Sequence, residues 1–200
     1  MRWSPDARGR LERAAFELFA EQGFAATTVP QITERAGLTT RTFFRHFADK
    51  REVIFAGREI PDLARTMLAA APAGLDPLDI VVQGLRQLAE ERFEGRRDQV
   101  LALRRVIASD ESLRERDARK RADLAQAVRD GFAARGSSPT EAAVLAETTV
   151  MLFHLALEEW LTDPRGRRMA DVVSDQLTVV RSVLGATADP RADGPPPLSA

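Results

Sequence analysis

Apolar residues recur at spacings of three and four along most of the chain, the period of helices that bury one face. Leu11, Ala15, Leu18 and Phe19 mark a first helix, capped by Ser4 with Pro5 at its first position and running to about Gln22. Phe24 closes over the same core after a break at Gly23. Val29, Ile32 and Ala36 share one face of a short second helix, which Thr28 caps, with Gln31 completing a capping box and Pro30 tolerated in the first turn. Gly37 ends it, and Thr39 caps a third helix over Thr40–Phe47. There Leu38, Phe43 and Phe47 supply the apolar side, which leaves Thr40, Arg41 and Arg45 facing outward. Two short helices across so brief a break form a helix-turn-helix. Short polar side chains and arginines at the start of its second helix suit entry into a major groove.

The rest reads as a helical body. Asp49 caps a helix with Glu52 three positions on, and Pro61 bends it near Gly57 or ends it there before it reaches about Ala70. After a short connection at Pro72–Pro77, helices are expected over about Pro77–Glu91, Arg96–Ser109, Ser112–Ala134 with Ser112 as cap, Pro139–Thr162, and Pro164–Gly185. The expectation is an all-α chain of about nine helices. A helix-turn-helix domain covers 1–50, a ligand-binding and dimerisation domain 51–186, and a mobile Pro- and Gly-rich tail 187–200. Pro139–Thr162 is apolar on more than one face, so it needs two partners, and a second subunit is one candidate. With the final helix it forms half of a four-helix subunit interface, with Leu152, Leu161, Met169, Val173, Gln176, Leu177, Val180 and Leu184 as candidate residues.

Composition narrows the chemistry. At 200 residues and 44% hydrophobic, the chain has enough apolar material for a small head on a larger body. It has no run of eighteen apolar residues and its start lacks the apolar core of a signal peptide, so no membrane partner and a cytoplasmic location are expected. With no cysteine and two histidines, no disulfide framework, metal site or cofactor is expected. The net charge is −1, and residues 1–50 carry eight Arg or Lys against six Asp or Glu. That excess is slight, so the case for DNA rests on the helix-turn-helix, with Arg2, Arg8, Arg10, Arg41, Arg45 and Lys50 as available phosphate partners. The basic run Arg114–Arg121 is interrupted by Glu115 and Asp117 and reads better as a solvated helix face than as a nucleic-acid patch.

The head resembles that of the TetR family of bacterial transcriptional regulators. The resemblance rests on Gly23 and Phe24, on Thr27–Val29, on Ile32, on Ala36 and Gly37, and on the run from Thr40 to Lys50, with Thr42, His46, Phe47 and Lys50 its most specific part. It covers about residues 8–55; the remainder matches only in length and all-helical organisation. It implies a homodimer whose paired recognition helices bind a pseudo-palindromic operator in double-stranded DNA, as a repressor released by a small-molecule effector. By the resemblance Thr39, Thr40 and Arg41 approach bases or phosphates, and Thr42, His46 and Lys50 meet the backbone. Thr28 and Arg45 complete that set with Phe44 and Thr33, which depart from the family's usual tyrosine and alanine. Phe44 lacks the phosphate-reaching hydroxyl, while the Thr33 hydroxyl could add a backbone contact.

An effector cavity is expected between body helices, lined mostly by apolar groups. Its candidates are Leu85, Phe93, Leu103, Ile107, Leu124, Val128, Met151, His154 and Leu155, which point to an apolar or amphipathic effector. His154 and Glu158, four apart, either orient a polar ligand group or form a structural pair. No glycine-rich phosphate loop or nucleophile elbow is present, and the two histidines lie in different regions, so catalysis is not expected. Two alternatives remain: an activator of the same fold, and a non-catalytic helical protein-interaction module that keeps its helix-turn-helix for packing.

Overall fold

The computed structural model describes residues 6–55 and 60–185, and every regular element among them is helical. The head holds α1 (Ala7–Ala26), α2 (Val29–Arg35), α3 (Thr40–His46) and α4 (Glu52–Phe55). The body holds α5 (Ile60–Ala70), α6 (Pro77–Arg92), α7 (Arg97–Ser109), α8 (Glu111–Ala134), α9 (Pro139–Thr162) and α10 (Met169–Gly185). These ten segments compare with about nine expected, because the helix read from Asp49 to Ala70 is described as two pieces. The bend expected near Gly57 lies outside the described residues, as do Arg2 and the tail after Gly185.

Helix ends follow local chemistry. Thr28 and Gln31 form the full capping box, with the Thr28 N–H donating to Gln31 Oε1 at 2.8 Å. Ser138 and Glu141 do the same at the start of α9. Asp6, at φ 82°, caps α1 through the Gly9 N–H, so this helix starts at Ala7 with Asp6 as its cap in place of the expected Ser4. Two more expected starts move. Asp110, not Ser112, caps α8, accepting from Leu113 N at 3.2 Å while the Ser112 hydroxyl donates to the same oxygen at 2.6 Å. The last helix begins at Met169 rather than Pro164, because the buried Asp163 carboxylate gathers the N–H groups of Arg165 and Arg167 and the Nε atoms of both side chains, at 3.0–3.4 Å. Those bonds hold the chain in turns instead of a first helical turn. Burial pushes the Asp163 carboxyl up, but the Arg167 and Arg165 bonds outweigh it and hold its pKa well below the usual carboxylate range.

Two apolar clusters organise the packing. The first joins Leu11, Phe19, Phe24, Ile32, Phe43 and Phe47 to Val53, Ile54 and Phe55 of α4, and takes in Leu103 and Ile107 from α7 and Leu113 from α8. It therefore runs across residue 50 and roots the head in the body. Each large side chain sealed there contributes on the order of 1.5–3 kcal/mol of transfer free energy. The second fills the body between α5, α6, α8, α9 and α10. By length and composition α9 could cross a membrane, but its apolar side packs against α6, α8 and α10 in this second core.

Part of the basic run on α8 faces inward. Arg116 bonds to Glu52, Lys120 donates to the Phe55 carbonyl at 3.1 Å, and both cations sit over the Phe55 ring, at 5.6 and 5.4 Å. Glu52, expected in a capping box with Asp49, is held by this clasp instead, while Asp49 still accepts the Glu52 N–H at 2.8 Å. Arg121 and Arg104 share Asp117 at 2.7 and 3.2 Å, which ties α8 to α7.

Candidate nucleic-acid interface and ligand cavity

In α3 the side chains divide as the pattern requires. Phe43 and Phe47 are buried against α1 and stack on each other with centroids 5.4 Å apart, while Thr40, Arg41, Phe44 and Arg45 face solvent. Thr39 caps the helix, accepting from Thr42 N at 3.2 Å and lying 3.0 Å from the Thr42 hydroxyl. Phe44 is 59% exposed, an outward apolar ring between two arginines. Arg45 Nη2 and His46 Nε2 lie 3.4 Å apart at the C-terminal turn. Gly37 turns the chain between the two helices at φ 63°, a conformation that a Cβ disfavours. The Arg10 guanidinium bonds to the Ala36 carbonyl there.

Five of the expected contacts are engaged within the head itself. Lys50 Nζ donates to the Phe24 and Thr27 carbonyls at 2.5 and 2.6 Å and lies 4.1 Å from the Phe24 ring centroid. Burial lowers its pKa, opposed by the Asp110 charge. Thr33 is 4% exposed and donates to the Pro30 carbonyl at 2.9 Å, so its hydroxyl faces its own helix. Arg10 caps α2, and Arg8 pairs with Glu12 at 3.0 Å. Thr28 bonds within its capping box, on the exposed edge of α2. Sequence reasoning missed Arg35, whose two terminal nitrogens meet the two Glu21 oxygens at 2.8 Å each and pin α2 to α1. That bond lowers the Glu21 pKa and raises that of Arg35.

The body holds a cavity of about 360 Å³ between α5, α6 and α8, with Thr149 of α9 also on its wall. Of the nine residues expected there, Leu85, Leu124 and Val128 line it. Leu103 and Ile107 belong to the head cluster, because α7 turns that face toward α1. Phe93 packs edge-on against Phe153 and Trp160 in the body core. Met151 and Leu155 are exposed on the outer side of α9. His154 lies beside Arg104, Asp117 and Arg121, not in the cavity. Both of its ring nitrogens are buried with no hydrogen-bond partner among the described residues, so it forms no pair with Glu158. Burial, then the Arg121 charge, lower its pKa to about 4 against the pull of Asp117. The remaining wall comes largely from Ile60, Leu63 and Met67 of α5, whose half-buried stripe, unmatched by any neighbour in sequence, was the available signal. Gly131 lets α5 come close to α8 here: a Cβ on it would meet Leu68 Cδ1 at 2.5 Å.

The expected subunit-interface residues also divide. Leu152, Met169, Val173 and Leu177 are buried in the body core, Leu161 and Val180 pack against it, and Gln176 donates to Glu159 at 2.5 Å. The Leu184 side chain lies outside the described residues. The outward apolar residues of these two helices are Val144, Met151 and Leu155 on α9 and Val179 and Val183 on α10, each between 43% and 63% exposed. Spacings of seven and four place the first three on one face. Leu155 lies one turn before Glu159, and Val179 and Val183 follow Gln176 by three and seven, so the Glu159–Gln176 bond joins the two rows.

Residues 12–56 match the model of bacterial regulatory proteins of the tetR family, a span that contains α2, α3 and their packing. The chain is 44% identical over 80 residues to the HTH-type transcriptional regulator TcmR of Streptomyces glaucescens, a stretch that is 40% of this chain and 35% of that protein. It is 43% identical over 47 residues to the HTH-type transcriptional repressor KstR2 of Mycobacterium tuberculosis, 24% of each chain. Over these residues the head is that of a TetR-family regulator. These curated relatives are matched over about a third of their length or less, whereas the likeness in fold to solved structures extends over nearly the whole chain. FadR of Thermus thermophilus, a TetR-family repressor in complex with lauroyl-CoA, superposes with a TM-score of 0.56 at 23% identity, covering 96% of this chain and 100% of its own. The SmeT–triclosan complex superposes with a TM-score of 0.55 at 18% identity, covering 97% and 99%.

Proposed function

We propose that this chain is a DNA-binding transcriptional regulator, a repressor that grips a pseudo-palindromic operator as a homodimer and lets go when a small apolar or amphipathic molecule fills the body cavity. The observation that carries this reading is α3, anchored by Phe43 and Phe47 and presenting Thr40, Arg41, Phe44 and Arg45 to solvent. Arginines and short hydroxyls on a rigid exposed helix match phosphates and base edges. The family match and the repressor KstR2 support the regulatory role.

The exposed row on α9 and α10 supplies a face through which a second copy would bury Val144, Met151, Leu155, Val179 and Val183. A two-fold pair would set its two α3 helices apart by one or more duplex turns, roughly 34–36 Å each. Release follows from connectivity: α8 forms one cavity wall and also clasps α4 through Arg116 and Lys120, so a ligand that moves α8 shifts the head. That FadR and SmeT are solved with lauroyl-CoA and triclosan supports a small-molecule effector.

Selection of bound fragments from genomic duplex DNA, followed by salt titration, tests the reading. Replacing Arg41 and Arg45 together by Ala should cost roughly tenfold or more in operator affinity and reduce the slope of log K against log salt by about two, leaving the melting temperature unchanged. Recovery of no preferred duplex at low salt would overturn it.

A further inference from the structure

The body cavity has a chemical bias that narrows what it takes, on the reading that it is the effector site. None of the described residues that line it is ionisable at neutral pH. Arg135 lies behind the C-terminal end of α5, where its Nη1 donates to the Leu68 and Ala71 carbonyls at 2.9 and 2.8 Å and its Nη2 to the Pro72 carbonyl at 2.8 Å. Three of its N–H groups are thus engaged by the partial negative charge of a helix end. An ionised carboxylate or phosphate moved into this space would lose its water without gaining a counter-charge from the described residues of the wall, a large cost that its apolar part does not offset.

The polar groups on the wall are neutral, and several are already bonded. The Thr149 hydroxyl donates to the Leu145 carbonyl at 2.7 Å, the Thr66 hydroxyl to the Asp62 carbonyl at 3.0 Å, and the Gln87 amide nitrogen to Glu91 at 2.8 Å. This leaves the Gln83 amide, unpartnered among the described residues, and the Gln87 amide oxygen, one helical turn apart on exposed positions of α6. Gly84 lies between them on the wall, and a Cβ placed there would meet nothing within 4 Å. We propose that the cavity takes an uncharged, largely apolar molecule with a hydrogen-bonding end against Gln83 and Gln87, and that the missing side chain of Gly84 makes room for it. Its body lies on the apolar wall of α5 and α8, formed by Leu63, Met67, Leu124 and Val128.

Two fluorescent probes that share a skeleton test this on the full chain: neutral N-phenyl-1-naphthylamine, and 1-anilinonaphthalene-8-sulfonate, which adds one negative charge. The neutral probe should bind once per chain, and the sulfonate roughly tenfold or more weakly at the same site by competition. Gly84→Leu should remove the neutral-probe site while holding or raising the melting temperature. Gln83→Arg, which puts a cation at the rim, should raise sulfonate affinity about tenfold relative to that of the neutral probe. Equal affinity of the two probes for one site would overturn the proposal, as would neutral-probe binding that survives in a folded Gly84→Leu, or no sulfonate gain in Gln83→Arg. Operator affinity with and without the neutral probe separates the two readings. Charge discrimination with unchanged operator affinity refutes control by the probe and leaves the cavity chemistry standing; equal probe affinities overturn the chemistry whatever the operator does.

Discussion

Lys50 and Phe24 meet twice: the ammonium donates to the Phe24 carbonyl at 2.5 Å and lies 4.1 Å from the centroid of the same ring. With the Thr27 carbonyl at 2.6 Å, the lysine closes the end of α1 onto the start of α2 from inside the head. Lys50→Met would leave two carbonyls without this donor, at a cost on the order of 1–3 kcal/mol. The expected result is a melting temperature lower by several degrees with the salt slope of DNA binding unchanged. A slope lower by about one at an unchanged melting temperature would assign Lys50 to a phosphate instead.

Met151 and Leu155 stand one turn apart on the outer face of α9. Replacing both by Glu places like charges across any two-fold seam built on that face. Sedimentation equilibrium at micromolar concentration should then show a monomer where the parent is a dimer, with helical content retained. A dimer that persists in the double variant would move the interface to another surface.

His154 gives a pH signature. Its pKa in the fold is lowered to about 4, by burial first, from an unfolded value of about 6.5. The unfolded chain therefore takes up the proton first, so this contribution to stability is full above about pH 6.5 and is lost as pH falls toward 4. His154→Leu should raise the melting temperature relative to the parent more at pH 5 than at pH 7.5. A difference that is the same at both values would show that the ring does not titrate in this way.

Asp163 carries the opposite chemistry with the same direction in pH. Its carboxyl is held low by Arg167 and Arg165, so its contribution is present above the unfolded value of about 3.9 and falls away only in stronger acid. Asp163→Asn should lower the melting temperature at pH 7, and the deficit should shrink below about pH 4. A deficit that does not change with pH would assign the loss to geometry alone.

What could be read along the chain and what could not divides by range of interaction. The Thr28–Gln31 and Ser138–Glu141 boxes lie within one turn, and Phe43 and Phe47 within one short helix, so their positions follow from neighbouring residues. Asp110 and Ser112 are both good caps two positions apart, and the choice turned on which oxygen the Leu113 N–H reached. Leu103 and Ile107 carry a stripe suited to any core, and nothing near them in sequence says that α7 presents it to the head.

The sequence by itself determined an all-helical chain, the helix-turn-helix and the outward side of α3, because helix period, capping and a glycine stop act over three to seven residues. Only the tertiary structure decided that Lys50 and Thr33 turn inward, that the cavity is walled by α5, and that Val144, Val179 and Val183 rather than Met169 and Val173 face out. A stripe on a helix says that a face is covered; which neighbour covers it depends on where distant helices cross, and that is settled by packing across the whole body.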